Sequence, residues 1–359
     1  MLAGEQKYLL ALNRHPQIGA VRLKLLYQVF RSWRQVWVAT KVQFDNAGIE
    51  MRIWQWVKEC RSNSAPDHEI ELIEKLGLKV VTFTDPDYPE RFKNIADAPA
   101  VLYFRGSLTC LNAPTVAVVG TRKSSDYGQL VTEQITVPLV RAGVTIISGL
   151  ALGIDSLAHR CAVRQSRPTI AVLGCGLDRI YPPTNTSLAR DIVASGGLIV
   201  SEYAPGIAPL KHHFPMRNRI VAGLSDAVVV VEGPITSGSL ITAKIALEYN
   251  RDVGAVPGDV NLPRAEGPNY LIQNGALVVT RADDVLEWLN LAGKPLRPIP
   301  VETSRDESEL YQIICAGPVS VDKLVIVSKM SIAKTNSILS SLEIKGLIRR
   351  SRGDTYIKL

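Results

Sequence analysis

Six residues able to handle an extended anion fall within nine positions: Lys211, His212, His213, Phe214, Arg217 and Arg219. Guanidinium and ammonium groups hold phosphates by charge-assisted hydrogen bonds, and an aromatic ring beside them can stack on an unpaired base. A helix beginning near Pro215 would add the positive end of its dipole in the turn that carries Arg217. Five of them also have a plainer reading. Phe214 suits a core-facing staple, Arg217 and Arg219 suit structural ion pairs, and the two histidines suit solvent better than catalysis.

Two glycine turns offer related chemistry. Gly120-Thr121-Arg122 follows the apolar run TVAVVG. Such a turn exposes N–H groups at a helix start, where a phosphate can bind, and Arg122 adds a cation; an ordinary strand-to-helix turn is the alternative. Ser237-Gly238-Ser239 is either a second anion cradle or a routine serine cap. Ser148 heads the string SGLALGID, in which Asp155 reads as the N-cap of a helix over Ser156–Val163. Asp155 and His159 could form an acid/base pair, but their spacing equally suits a cap and a packed histidine. The G-x-G-x-x-G dinucleotide fingerprint is absent at Gly120, because Arg122 and Ser125 replace its later glycines.

A scaffold that gathers these residues is written in the apolar pattern. From Val80 to Val279 the runs VVTF, AVLYF, TVAVVG, VTIISG, TIAVLG, LIVSE, AVVVVE, VGAVPG and ALVVT alternate with helix-compatible stretches. Continuous apolar strands of this kind belong in a parallel sheet covered on both faces. The expected fold is a Rossmann-like, doubly wound, mainly parallel α/β sheet over residues 75–290, with every loop after a strand on one rim. Residues 1–70 read as a helical module resembling SAM-like or helix-hairpin-helix units. Its turn Pro16-Gln17-Ile18-Gly19, followed by Arg22 and Lys24, either contacts DNA phosphates or only packs. The proline-rich stretch 291–305 reads as a linker. Residues 306–359 follow the order of a winged helix, with helices over Glu309–Cys315, Val321–Val327 and Ile332–Ile344 and a hairpin at Arg352-Gly353-Asp354. Lys334, Lys345, Arg349, Arg350 and Arg352 surround its third helix and wing, as a DNA groove or a protein partner would require.

Composition narrows the class. The formal charge of +7 favours a polyanionic partner without naming one. Charged residues at 21% and hydrophobic residues at 46% fit a globular protein with a large core and exclude a disordered chain. The five scattered cysteines indicate neither a disulfide framework nor a zinc site. No metal or cofactor is expected. No apolar run approaches the ~18 residues of a membrane span, and a cytoplasmic location is expected.

The strings GTRKSSDYG (120–128), SGLALGID-SLAH (148–159), IAVLGCGLDRIYPPTN (170–185), SEYAPG (201–206), FPMRNRIVAGLS (214–225) and SGSLITAKIALEYNR (237–251) resemble the DNA processing protein A (DprA, or Smf) family. The resemblance implies a non-enzymatic, homodimeric protein that binds single-stranded DNA, protects it during natural transformation and helps load the RecA recombinase. By that resemblance Arg122, Lys211 and Phe214 hold the strand. Arg217 and Arg219 support them, with Gly120, Ser148 and Ser239 completing the expected set. The competing reading is a Rossmann-type nucleotide phosphoribohydrolase. Its P-G-G-x-G-T-x-x-E loop would fall at 234–242, where this chain has neither the glycine pair nor the Glu.

Overall fold

The structure, a computed structural model, describes residues 4–292, 304–315, 317–344, 347–351 and 355–358. Two compact units divide the chain near Pro298.

The larger unit opens with six helices, α1 (Gln6–Asn13), α2 (Ala20–Phe30), α3 (Trp33–Val38), α4 (Lys41–Asn46), α5 (Met51–Asn63) and α6 (Pro66–Lys75). Ser32 and Thr40 cap α3 and α4 by accepting the Gln35 and Gln43 amides. The α/β part then runs β1 (Lys79–Thr82), β2 (Val101–Gly106), β3 (Thr115–Val119), α7 (Asp126–Arg141), β4 (Thr145–Ser148), α8 (Ile154–Arg164), β5 (Thr169–Val172), α9 (Thr186–Ala194) and β6 (Leu198–Ser201). It continues through α10 (His213–Leu224), β7 (Ala227–Val230), α11 (Gly238–Glu248), β8 (Asp252–Ala255), α12 (Glu266–Gln273), β9 (Leu277–Val278) and α13 (Ala282–Trp288).

All nine apolar runs form strands of one sheet, in the order β1-β2-β6-β5-β4-β3-β7-β8-β9. Strands β6 to β9 in that order are parallel, whereas β1 and β2 pair antiparallel with each other and with β6. The sheet is doubly wound because its strands are apolar on both sides. In β3, Val116 and Val118 pack with α7 and α8 on one face, while Ala117 and Val119 pack with α10 and α11 on the other. Burying each Val contributes roughly 1.5–3 kcal/mol relative to leaving it exposed. The N-terminal helices join a third cluster with Leu173 and Cys175 after β5, Leu188 and Ile192 of α9, and Tyr103 of β2.

The reversal of strand order lies between β3 and β7, and a crevice opens there at the carboxyl ends of the strands. Helix α8 begins two residues earlier than expected, at Ile154 instead of Ser156. Gly153, at φ +74, is its N-cap, and Asp155 lies inside the first turn instead of capping it.

In the C-terminal unit, α14 (Arg305–Cys315), β10 (Val319–Ser320), α15 (Val321–Ser328), α16 (Ile332–Ile344), β11 (Ile348–Arg350) and β12 (Thr355–Lys358) surround Leu310, Leu324, Leu339, Leu342 and Ile348. Three helices and an antiparallel sheet ordered β10-β12-β11 make a winged helix. The expected turn at 352–354, Lys345 and most of the expected linker lie outside the described residues, as does the Arg349 side chain.

Candidate nucleic-acid interface

A cleft of about 830 Å³ occupies the switch point. The first glycine turn forms one wall with Gly120, Arg122 and Lys123; the α10 start forms the opposite wall with Lys211, Phe214 and Pro215; Ser237, Gly238 and Ser239 close one end. Thus Gly120, Arg122, Lys211, Phe214, Arg217 and Ser239 converge, although up to 119 positions separate them (120 to 239).

Arg122 is exposed and its guanidinium lies 5.5 Å from the centre of the Phe214 ring. That ring is half-buried at the cleft mouth, not in the core, and its other neighbour is Tyr181, 5.5 Å away between centroids. Lys211 and Lys123 are exposed on the same walls, and among the described residues none of these three cations has an ion-pair partner. The combination is an aromatic surface bordered by unneutralised cations.

The loop that carries Lys211 is held from behind by the N-terminal helices. Asn13 Nδ2 donates to the Glu202 carbonyl (3.0 Å), and Arg14 Nη1 donates to the Pro205 carbonyl (3.0 Å) and to Glu69 (3.1 Å). Asp178 accepts the Gly206 amide at 2.7 Å. Within the N-terminal module, Lys24 donates to the Ala96 carbonyl and is half-buried, and burial lowers its pKa. Arg22 bonds the Gln17 carbonyl and lies over Trp56.

The two arginines of the MRNR string do different things. Arg217 is 5% exposed and forms the cleft floor, where it donates to the carbonyls of Gly149 and Val172 at the ends of β4 and β5. Burial pulls its pKa down and the Asp155 carboxylate opposes the shift. Asp155, also buried, accepts the Gly149 amide at 3.1 Å; burial raises its pKa, countered first by Arg217. Arg219 is not brought into the cleft. It points to the other side of α10, bonded to Glu202 and to the Asp97 carbonyl. Residues two apart on a helix differ by about 200°, so only one can face the cleft.

Ser148 is also not brought there: it is fully buried and donates to the Val118 carbonyl (2.7 Å) across the sheet. His213 is buried and stacks on Tyr203, whereas His212 is exposed. His159 is completely buried against Thr169 Oγ1 (2.8 Å), and burial pushes its pKa down to about 3, so it is a packed neutral ring. Ser239 lines the cleft, but Ser237 Oγ accepts its amide (3.3 Å) and caps α11.

The first glycine turn departs from the expected phosphate cradle. The α7 N-cap is Ser125, and its amide and hydroxyl both donate to the Glu232 carboxylate. Sequence reasoning missed this pairing and missed Tyr181 and Asn218 on the cleft wall. The only signal for Tyr181 was its place in a loop following a strand. Among the described residues no His, Cys, Asp and Glu cluster is placed to hold a metal, and no helix is long and apolar enough to cross a membrane. Cys60, Cys110, Cys161 and Cys175 are free and buried, and Cys315 is free and exposed.

Fold and cleft together define a doubly wound α/β protein with an open, cation-walled switch-point crevice and an appended winged helix. Residues 79–290 match the family described as DNA recombination-mediator protein A, and residues 294–354 match the DprA winged helix domain. The protein Smf of Synechocystis is 35% identical over 99% of both chains, and DNA processing protein DprA of Streptococcus pneumoniae is 46% identical over 56% of this chain and 71% of its own. The X-ray structure of DprA from S. pneumoniae superposes with a TM-score of 0.68 at 36% identity, covering 78% of this chain and 97% of that one. A DprA structure from Helicobacter pylori, described for its single-stranded DNA binding mode, gives a TM-score of 0.53 at 33% identity over 59% of this chain and 96% of its own. The chain belongs to the DprA/Smf family of DNA processing proteins.

Proposed function

We propose that the cleft binds single-stranded DNA, with Arg122 and Lys211 on its phosphates and Phe214 stacked on a base. The observation that carries this reading is the Arg122 guanidinium over the Phe214 ring in an open cleft whose exposed cations have no carboxylate partner among the described residues. A duplex hides its base faces, so an aromatic ring flanked by cations favours an unpaired strand. The H. pylori relative, described as binding single-stranded DNA, supports the same assignment. On this reading Arg217 and Ser239 shape the floor and end of the cleft, and Arg219 and Ser148 act only through packing.

The wider role we infer is protection of incoming strands and loading of RecA during transformation and recombination, by a cytoplasmic homodimer without a reaction of its own. The phosphoribohydrolase alternative has little support. Asp155 is the carboxylate on the described cleft wall, and it is committed to the Gly149 amide and faces Arg217.

Fluorescence anisotropy of a labelled single-stranded oligonucleotide, with unlabelled duplex as competitor, tests the reading. Wild type should prefer the single strand, and Arg122→Ala should lose most of that binding. Equal competition by duplex, or an unaffected variant, would move the site elsewhere.

A further inference from the structure

In dinucleotide-binding Rossmann proteins the pyrophosphate sits on the N-terminus of the helix that follows the first strand of the switch point. Here that helix is α7, and its N-terminus is already occupied by an anion of the chain itself. Glu232, just beyond β7 and 3% exposed, accepts the Ser125 amide at 3.0 Å through Oε2 and the Ser125 hydroxyl through Oε1. Ser125 Oγ in turn accepts the Gly128 amide at 3.0 Å, so two first-turn donors are consumed. The Glu232 main chain locks the preceding turn as well, its carbonyl accepting the Thr121 amide at 2.7 Å. The site is shaped for this carboxylate: Gly128 leaves no room for a Cβ, which would collide with Glu232 Oε2.

We propose that Glu232 is a specificity-determining residue that fills the phosphate subsite of the Rossmann crevice. It thereby excludes nucleotides that bind by a compact phosphate group. A buried carboxylate held by charge-assisted hydrogen bonds and the helix dipole takes the N-cap amide and hydroxyl of α7, and a phosphate arriving there meets a like charge at close range. An anion in the cleft must then be held by side chains farther out, Arg122, Lys123 and Lys211. A polymer that offers several phosphates meets that requirement better than a mononucleotide. The exclusion itself stands whichever polyanion uses the cleft.

The test compares wild type, Glu232→Ala and Glu232→Gln with two probes, inorganic phosphate and ADP. In chloride, Glu232→Ala should unfold several degrees below wild type. About 10 mM phosphate at matched ionic strength should return about half of that loss, beyond any general salt effect seen with wild type. By calorimetric titration, ADP should bind Glu232→Ala at least about tenfold more tightly than wild type, and Glu232→Gln about threefold more tightly, because Gln removes the like charge but still fills the subsite. If Glu232→Ala does not fold, Glu232→Gln decides alone, because it keeps the shape and an acceptor while removing the charge. The proposal is overturned if wild type binds ADP as tightly as the variants, or if phosphate stabilises Glu232→Ala no more than wild type. Single-strand affinity, measured in parallel, separates this outcome from a failure of the DNA-binding reading.

Discussion

Basic residues crowd two regions of the sequence, the cleft segments and the C-terminal unit, but the structure uses them differently. At the cleft, Arg122, Lys123 and Lys211 reach solvent from facing walls, beside an aromatic pair. On α16 the described cation, Lys334, lies 2.5 Å from Asp306, and its exposed neighbours are Ile332, Ala333, Asn336, Ser337 and Ser340. Ile326 and Val327 add exposed apolar area to that unit. A cation contributes to polyanion binding only when its charge is not already neutralised and when others converge with it. By that criterion the cleft, and not α16, gathers unneutralised cations among the described residues.

Four perturbations would break or sharpen this contrast. The largest effect is expected at the cleft floor. Arg217→Met removes the donor to two buried carbonyls and leaves Asp155 without its compensating charge, which should cost about 3 kcal/mol of stability in urea unfolding. A loss well under about 1 kcal/mol would show that the floor does not depend on this cation. At the walls, Arg122→Ala and Lys211→Ala should each weaken single-strand binding by about tenfold. Each should also lower the log–log salt slope by roughly 0.7, read from anisotropy at several salt concentrations. Unchanged slopes would remove the walls from the phosphate path. Phe214→Ala should cost about 1–3 kcal/mol of affinity, and Tyr181→Ala about 1 kcal/mol, both with the slope intact because stacking releases no counterions. A fall in slope with Phe214→Ala would mean that Arg122 had moved with the ring it covers. The smallest effect belongs to Lys334→Ala, which should leave single-strand affinity within about twofold, since the lost charge was already paired. A tenfold loss there would place the winged helix on the strand and cancel the contrast.

Much of the scaffold was readable before folding. The nine apolar runs are the nine strands; the inner strands are apolar throughout because both their faces are buried, whereas at the edges β9 is exposed and β1 is only half covered. The same uniformity hid the direction of β1 and β2. With no polar alternation, nothing local marks them as antiparallel to β6. The rim was readable too, since parallel strands put all their following loops at one end, and that rule brought Arg122, Lys211, Phe214 and Ser239 to one cleft. What could not be read was the role of each polar residue within the rim. Asp155 reads as a cap and is instead a buried carboxylate that accepts the Gly149 amide, because Gly153 starts the helix earlier.

The order and spacing of residue types determined which segments become strands, which loops share an edge and that the shared edge is basic, since backbone periodicity and the parallel-sheet rule act through local sequence. Only the tertiary structure decided which cations remain unneutralised. The rotation of α10 sends Arg217 to the floor and Arg219 to Glu202. The fold also brings Glu232 across 107 positions to Ser125, filling a helix start that the sequence presents as open. Charge neutralisation depends on distances of a few ångströms between residues far apart in the chain, and such distances are fixed only when the sheet and its helices pack.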